Sequence, residues 1–216
     1  LGQGTLEIVS DWMDQDIELD WVKEFVENSD RTLTYAQTGG NPVETWRYCE
    51  ENFSKGVKIR PQFPGRPTGM LFSLESTVHP FIAHPSYAEI ANKTLDEKVA
   101  AMKDESFKQR ILSEEPAVDK NHMIYTLMTA FDKQFPMDEI PDYEPSYDTS
   151  IAGIAESSNK SVMEVLYDEL LKNDGKTFVW APFSPYPDHN LDTYKMMMEF
   201  NSSVAGLSDG GAHCGL

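Results

Sequence analysis

The densest chemical signal is Gly206-Leu207-Ser208-Asp209-Gly210-Gly211-Ala212-His213. An acid that follows an apolar, strand-like run can bind a metal ion through one carboxylate oxygen. It can also take a proton from metal-bound water, whose pKa the metal lowers. Gly210 and Gly211 let the backbone approach a ligand closely. His213, four residues past Asp209, can orient a ligand or hydrogen-bond the acid. The same string also reads as a plain turn, because Asp-Gly-Gly is common in turns.

The other candidates each carry a functional and a structural reading. Arg66, in Gly65-Arg66-Pro67, can grip a substrate carboxylate with its two-pronged guanidinium, or be pinned in its loop by surface acids. His79 and His84 flank Pro80-Phe81 and read as structural histidines. Asp188-His189-Asn190 follows a strand end, where it is either functional or a turn cap. Tyr87, Tyr143 and Tyr147 lie near prolines and either pack or line a lid. Cys49 falls on a helix stripe and reads as core, while Cys214 adjoins the Asp209 motif. Glu7 and Asp11 sit on a strand and at its C-terminal end. A Ser-His-Asp order, a P-loop and a GxGxxG are all missing, so those chemistries have no support.

The elements that position these residues begin with an alternation. Residues 4–10 read as a strand, with Leu6 and Ile8 on one face and Thr5, Glu7 and Val9 on the other. A helix follows over 16–28 with the stripe Leu19, Val22, Phe25, Val26. A second strand covers 31–37. The Gly39-Gly40-Asn41-Pro42 turn then starts a helix, with Asn41 as N-cap and Pro42 in its first turn. Val43, Trp46, Cys49 and Phe53 form its buried stripe, and 57–62 is the third strand. Strand and helix alternating with short connections imply a parallel sheet. Polar residues recur on the strands: Thr5, Glu7, Thr34, Gln37, Arg60 and Gln62. Strands of an open doubly wound sheet are near-continuously apolar, so the pattern favours a (β/α)8 barrel, whose active site lies at the strand C-terminal ends.

Residues 63–147 break the rhythm. This stretch is proline-rich, lacks a clear strand, and is expected to be a helical or irregular insertion acting as a lid or side element. Within it, Ser86–Glu89 and Thr94–Glu97 match capping boxes, and 105–113 reads as a surface helix. The rhythm resumes with a third capping box at Ser161–Glu164, which opens a helix whose stripe Val162, Val165, Leu166 and Leu170 is stopped at Asn173-Asp174-Gly175. A strand at 177–182, a Met-rich helix at 191–200 whose Met196-Met197-Met198 faces the core, and a strand at 204–209 complete the chain. The fold class expected is therefore α/β, a partial (β/α)8 TIM-type barrel spanning 1–216 with the insertion at 63–147. A whole barrel needs about 250 residues before insertions.

Composition excludes some partners. Lys+Arg number 18 and Asp+Glu 36, a net charge of −18. Phosphate backbones and anionic membrane surfaces draw on Lys and Arg, so neither nucleic acid nor membrane is an expected partner. Two cysteines without CxxC spacing point to no disulfide framework or zinc knuckle. No apolar run approaches the ~20 residues of a membrane span and no signal peptide is visible, so a cytoplasmic location is expected. Both chain ends read as cut.

The string GLSDGGAH resembles the eighth-strand motif of the amidohydrolase superfamily, and within it the N-acyl-D-amino-acid deacylase (D-aminoacylase) group. Further stretches fit that group's pattern in order: Gly4 to Asp11, Arg66-Pro67-Thr68-Gly69, His79-Pro80-Phe81, Pro85-Ser86-Tyr87, and Ser150 to Ala155. The resemblance implies a zinc-dependent hydrolase on a (β/α)8 barrel that cleaves small-molecule N-acyl-D-amino acids to a carboxylate and a D-amino acid. It implies that Asp209 ligates zinc or acts as general base, with His213 as its companion. The group's first-strand His-x-His is absent: the five histidines are His79, His84, His122, His189 and His213. The expectation is a C-terminal portion of an enzyme, with the remaining ligands before Leu1 and some substrate contacts after Leu216. Alone it is expected to be inactive and open to pairing with a second copy through exposed sheet edges. The rivals are another amidohydrolase acting on a cyclic amide or urea-like bond, and a non-catalytic acidic domain.

Overall fold

A computed structural model describes residues 3–10, 12, 14–37, 42–184, 186 and 188–206. In chain order its elements are β1 (Thr5–Ser10), α1 (Gln15–Ser29), β2 (Thr32–Gln37), α2 (Pro42–Phe53), β3 (Ile59–Phe63), β4 (Thr68–Phe72), α3 (Pro85–Ala88), α4 (Leu95–Met102), α5 (Glu105–Ser113), α6 (Met123–Met128), β5 (Phe135–Pro136), α7 (Ile151–Ser158), α8 (Val162–Gly175), β6 (Val179–Ser184), α9 (Asp192–Glu199) and β7 (Val204–Ala205). The protein is mixed α/β, and its described residues divide into two compact units, 3–68 with 184–206, and 69–183.

The first unit is built on a parallel sheet in the order β1-β2-β3-β7. Its register pairs Leu6 with Leu33 and Ile8 with Tyr35, which gathers the apolar side chains on one face. Leu33, Tyr35 and Ile59 pack there with Trp12, with Val22 of α1 and with Cys49 of α2. Phe63 continues that face toward Trp46 of α2 and Tyr194 and Met197 of α9. Thus α1, α2 and α9 all cover the same side. Asp14 Oδ1 accepts the Ile17 N–H at 3.3 Å to start α1, and Asp30 ends it in a left-handed conformation. β3 and β7 meet although 141 residues separate Phe63 from Ala205, with Gln62 beside Val204 and Phe63 beside Ala205.

The second unit holds a three-stranded sheet, β4-β6-β5. The strand expected at 177–182 forms as β6, but it pairs antiparallel with β5 and so does not join the parallel sheet. β4 and β5 lie inside the stretch expected to lack strands. They are five and two residues long, β4 following Pro67 and β5 containing Pro136, too short to carry a period. Phe72, Leu74, Phe81, Tyr167 and Leu170 are among the side chains of this unit's core.

Two helical expectations in this unit need correction. Helix α5 is not a surface helix throughout, because Phe107 and Ile111 are buried on one face. Ser86 does not cap a helix: Pro85 opens α3 with His84 at the N-cap, and the Ser86 hydroxyl instead donates to Glu114. The Thr94 capping box is present as expected, and Ser161 Oγ accepts the Glu164 N–H at 3.1 Å. Asn173, Asp174 and Gly175 all adopt positive φ, which stops α8 where the sequence predicts. Ser150 caps α7 through the Gly153 N–H at 3.0 Å. A Cβ at Gly153 would lie 2.3 Å from the Tyr147 carbonyl oxygen, so only glycine lets that loop close over the helix. In the first unit, Met197 is buried on α9, yet Met198 is 63% exposed, so only part of the methionine run faces the core.

Candidate functional site

The face of the parallel sheet opposite α1, α2 and α9 is polar. Glu7 and Thr34 are register partners on β1 and β2, and Gln62 follows on β3 beside Ala36. Gln62 is nearly buried. Its Nε2 donates to Glu7 Oε1 and to Thr34 Oγ1, each at 3.0 Å. One carboxamide thus ties three strands together across the sheet and leaves its two N–H bonds satisfied.

Gly206 closes the cluster. Its N–H donates to the Phe63 carbonyl at 3.0 Å, extending the β3–β7 ladder by one step. A Cβ at Gly206 would lie 2.5 Å from both Gln62 Cβ and Oε1. Gln62 therefore occupies the space that any larger residue at the first position of the GLSDGGAH string would need. The string leaves β7 at the C-terminal end of a parallel strand, the end at which sheets of this kind bind ligands.

Asp209 and His213, the residues predicted to carry the chemistry, lie outside the described residues, as do Asp11, Asn41 and Cys214. Arg66 is half-buried and held by an interaction of its own. His189 takes a left-handed φ of 57° in the turn before α9, and Asn190 Oδ1 accepts the Asp192 N–H at 3.0 Å. This bond forms an Asx turn, while α9 itself has Leu191 at its N-cap and no side-chain cap. His79 and His84 come out as interior histidines. His79 is fully buried, accepts the Phe81 N–H at 3.3 Å through Nδ1 and stacks edge-on against Tyr87. Burial, and to a lesser extent Lys98 and His84, push its pKa down to about 3, so the ring is neutral. Tyr87 is buried, whereas Tyr143 and Tyr147 are exposed and Tyr147 Oη donates to Glu156 at 2.7 Å. Cys49 is core, as its helix stripe predicts, with Tyr35 Oη 3.6 Å from its Sγ. Burial pushes the thiol up to about 12.

No family model, curated protein or solved structure matches the chain.

Among the described residues, no three His, Cys, Asp or Glu side chains converge as a metal ion would require. No helix among the described residues is long and apolar enough to cross a membrane. Gln62 and Thr34 were legible only as polar positions on strands. Their link through one carboxamide depends on the β2–β3 register, which no local pattern encodes.

Proposed function

We propose that the chain belongs to a metal-dependent amidohydrolase that hydrolyses the amide bond of N-acyl-D-amino acids. The observation that carries this reading is the placement of the GLSDGGAH string directly after β7, which lies parallel to β3. The finer fold reading, part of a (β/α)8 barrel, is supported by the three helices on one face of the sheet and the polar cluster on the other. A barrel keeps its helices outside and its strand-end polar groups toward the site.

In this reading Asp209 takes a proton from the attacking water and returns it to the leaving amine, a task suited to a carboxylate beside the scissile bond. His213 hydrogen-bonds that carboxylate or the substrate. Arg66 pairs with the substrate carboxylate in bidentate fashion. Zinc, the metal the resemblance implies, would supply Lewis acidity and an acidified water when bound.

The test is release of free amino acid from N-acetyl-D- and N-acetyl-L-amino acids by the protein as its full reading frame encodes it. Turnover of the D series is expected, lost on chelation. The Asp209→Asn variant should lose on the order of 10³-fold in kcat. Unchanged turnover in that variant overturns the role of Asp209. Turnover of a cyclic amide in place of the N-acyl substrates replaces the substrate class.

A further inference from the structure

The second unit contains a cleft of about 270 Å³, just below the ~300–1,000 Å³ usual for ligand pockets. It lies among the turn before α3, the end of α5 and the segment after it, α6 and the start of α8. Leu112, Met128, Phe131 and Met163 give it apolar walls, and the methionine thioethers can adapt to an aromatic guest. Its polar residues are His84, Glu114, Glu115, Tyr125 and Thr129, and no Lys or Arg is among its described lining residues.

The charges in this wall are well defined. Burial lowers the His84 pKa against the raising pull of Glu114, of the Phe81 and Pro80 backbone and of Glu115, so the imidazole adds no positive charge at neutral pH. His84 is 4% exposed, and its Nδ1 is buried without a hydrogen-bond partner. For Glu114, burial pulls the pKa up, but hydrogen bonds from the Ser86 hydroxyl and N–H outweigh it and hold the group ionised. Glu115 is held low by its hydrogen bond and ion pair with Lys120 at 2.6 Å. Arg110, the next cation, is engaged by Glu89 at 2.8 Å. An apolar cleft with a net negative rim disfavours an anion and suits a cation with an apolar body.

We propose that this cleft binds a small ligand with a single apolar ring and a primary ammonium head, the ring against Met128, Phe131 and Met163 and the head at the Glu114 carboxylate. The proposal is independent of the hydrolase reading.

The experiment follows the ¹³C-methyl NMR signals of Met128 and Met163 in the full chain, titrated with 2-phenylethylamine, 2-phenylethanol and 3-phenylpropionate. The amine should shift both methyls saturably, with a Kd about tenfold below that of the isosteric alcohol, the factor expected of one screened charge contact. The propionate should not saturate. Glu114→Gln should erase the preference for the amine, and Met163→Trp, which fills the cleft, should abolish the Met128 shift. Because Glu114 also anchors Ser86, Glu115→Gln provides a second charge variant, expected to narrow the amine-to-alcohol ratio about threefold. Equal affinity for amine and alcohol, preference for the propionate, binding that survives Met163→Trp, or no saturable shift with any probe would each overturn the proposal.

Discussion

Gly206→Ala is a sharp probe of how the polar cluster is assembled. Gly206 has no positive φ, so the backbone accepts alanine and the cost is purely steric. The new Cβ would meet Gln62 Cβ and Oε1 at 2.5 Å. Rotating the carboxamide away relieves the Oε1 contact but not the Cβ contact, so the end of β7 must also move. The rotation breaks the bonds to Glu7 and Thr34. The Thr34 bond is worth about 1 kcal/mol. The Glu7 bond, with an exposed acceptor, is worth about 1 kcal/mol or less after screening. Overpacking adds about 1 kcal/mol, for a total of about 3 kcal/mol.

Gln62→Ala removes the same two bonds and opens the space, at about 2 kcal/mol. In the double variant the alanine at 206 meets no side chain beyond Cβ, so the cost should stay near 2–3 kcal/mol, well short of the roughly 5 kcal/mol that additivity requires. Urea unfolding followed by tryptophan fluorescence measures this, since Trp12, Trp21 and Trp46 belong to the first unit. Single-variant costs that add to within about 0.5 kcal/mol would refute the steric coupling.

Two further outcomes follow from buried groups. His79 stays neutral in the folded chain down to about pH 3, while the unfolded chain binds a proton near its ordinary value of 6.5. The folded pKa is the depressed one, so its share of stability is whole above about pH 6.5 and is lost as pH falls toward 3, reaching about 3 kcal/mol at about pH 4. His79→Gln should flatten the acid limb of the urea-midpoint profile, and matching slopes for variant and parent would count against this. Cys49, 1% exposed with its thiol pushed up to about 12, should resist Ellman's reagent at about pH 8 in a Cys214→Ser background. It should react fully in concentrated guanidinium, and rapid labelling of the native protein would show that the α2–β2 interface opens.

Local signals read well in this sequence and non-local ones did not. The stripes of α1, α2 and α8 and the Thr94 cap are set by side chains within one or two turns, so spacing alone locates them. The partner of β6 is a different matter: Val179 to Ser184 look the same beside β5 as beside a parallel neighbour. The Ser86 capping pattern failed because Pro85 opens α3 one residue earlier, which puts Ser86 inside the helix, where its hydroxyl donates to Glu114, 28 residues on. The burial of Phe107 and Ile111, four residues apart, was visible as spacing on α5, but charged neighbours on the same short helix masked it.

The polar strand positions link the fold to the chemistry. Had helices covered both faces of the parallel sheet, Glu7, Thr34 and Gln62 would be buried against apolar side chains, at a cost of about 1–3 kcal/mol for each polar group left unsatisfied. Instead the three share two hydrogen bonds on the face away from α1, α2 and α9. Alternating polar residues on β1 to β3 therefore fit a sheet that carries α1, α2 and α9 on its apolar side and the polar cluster on the other. That side is where Gly206 packs on Gln62, and the chain leaves this contact three residues before Asp209. A residue other than glycine at 206 would displace the Gln62 carboxamide and with it the ties to β1 and β2. The glycine that opens the string is thus required by the polar cluster, apart from any role of the later Gly210 and Gly211 in approaching a ligand.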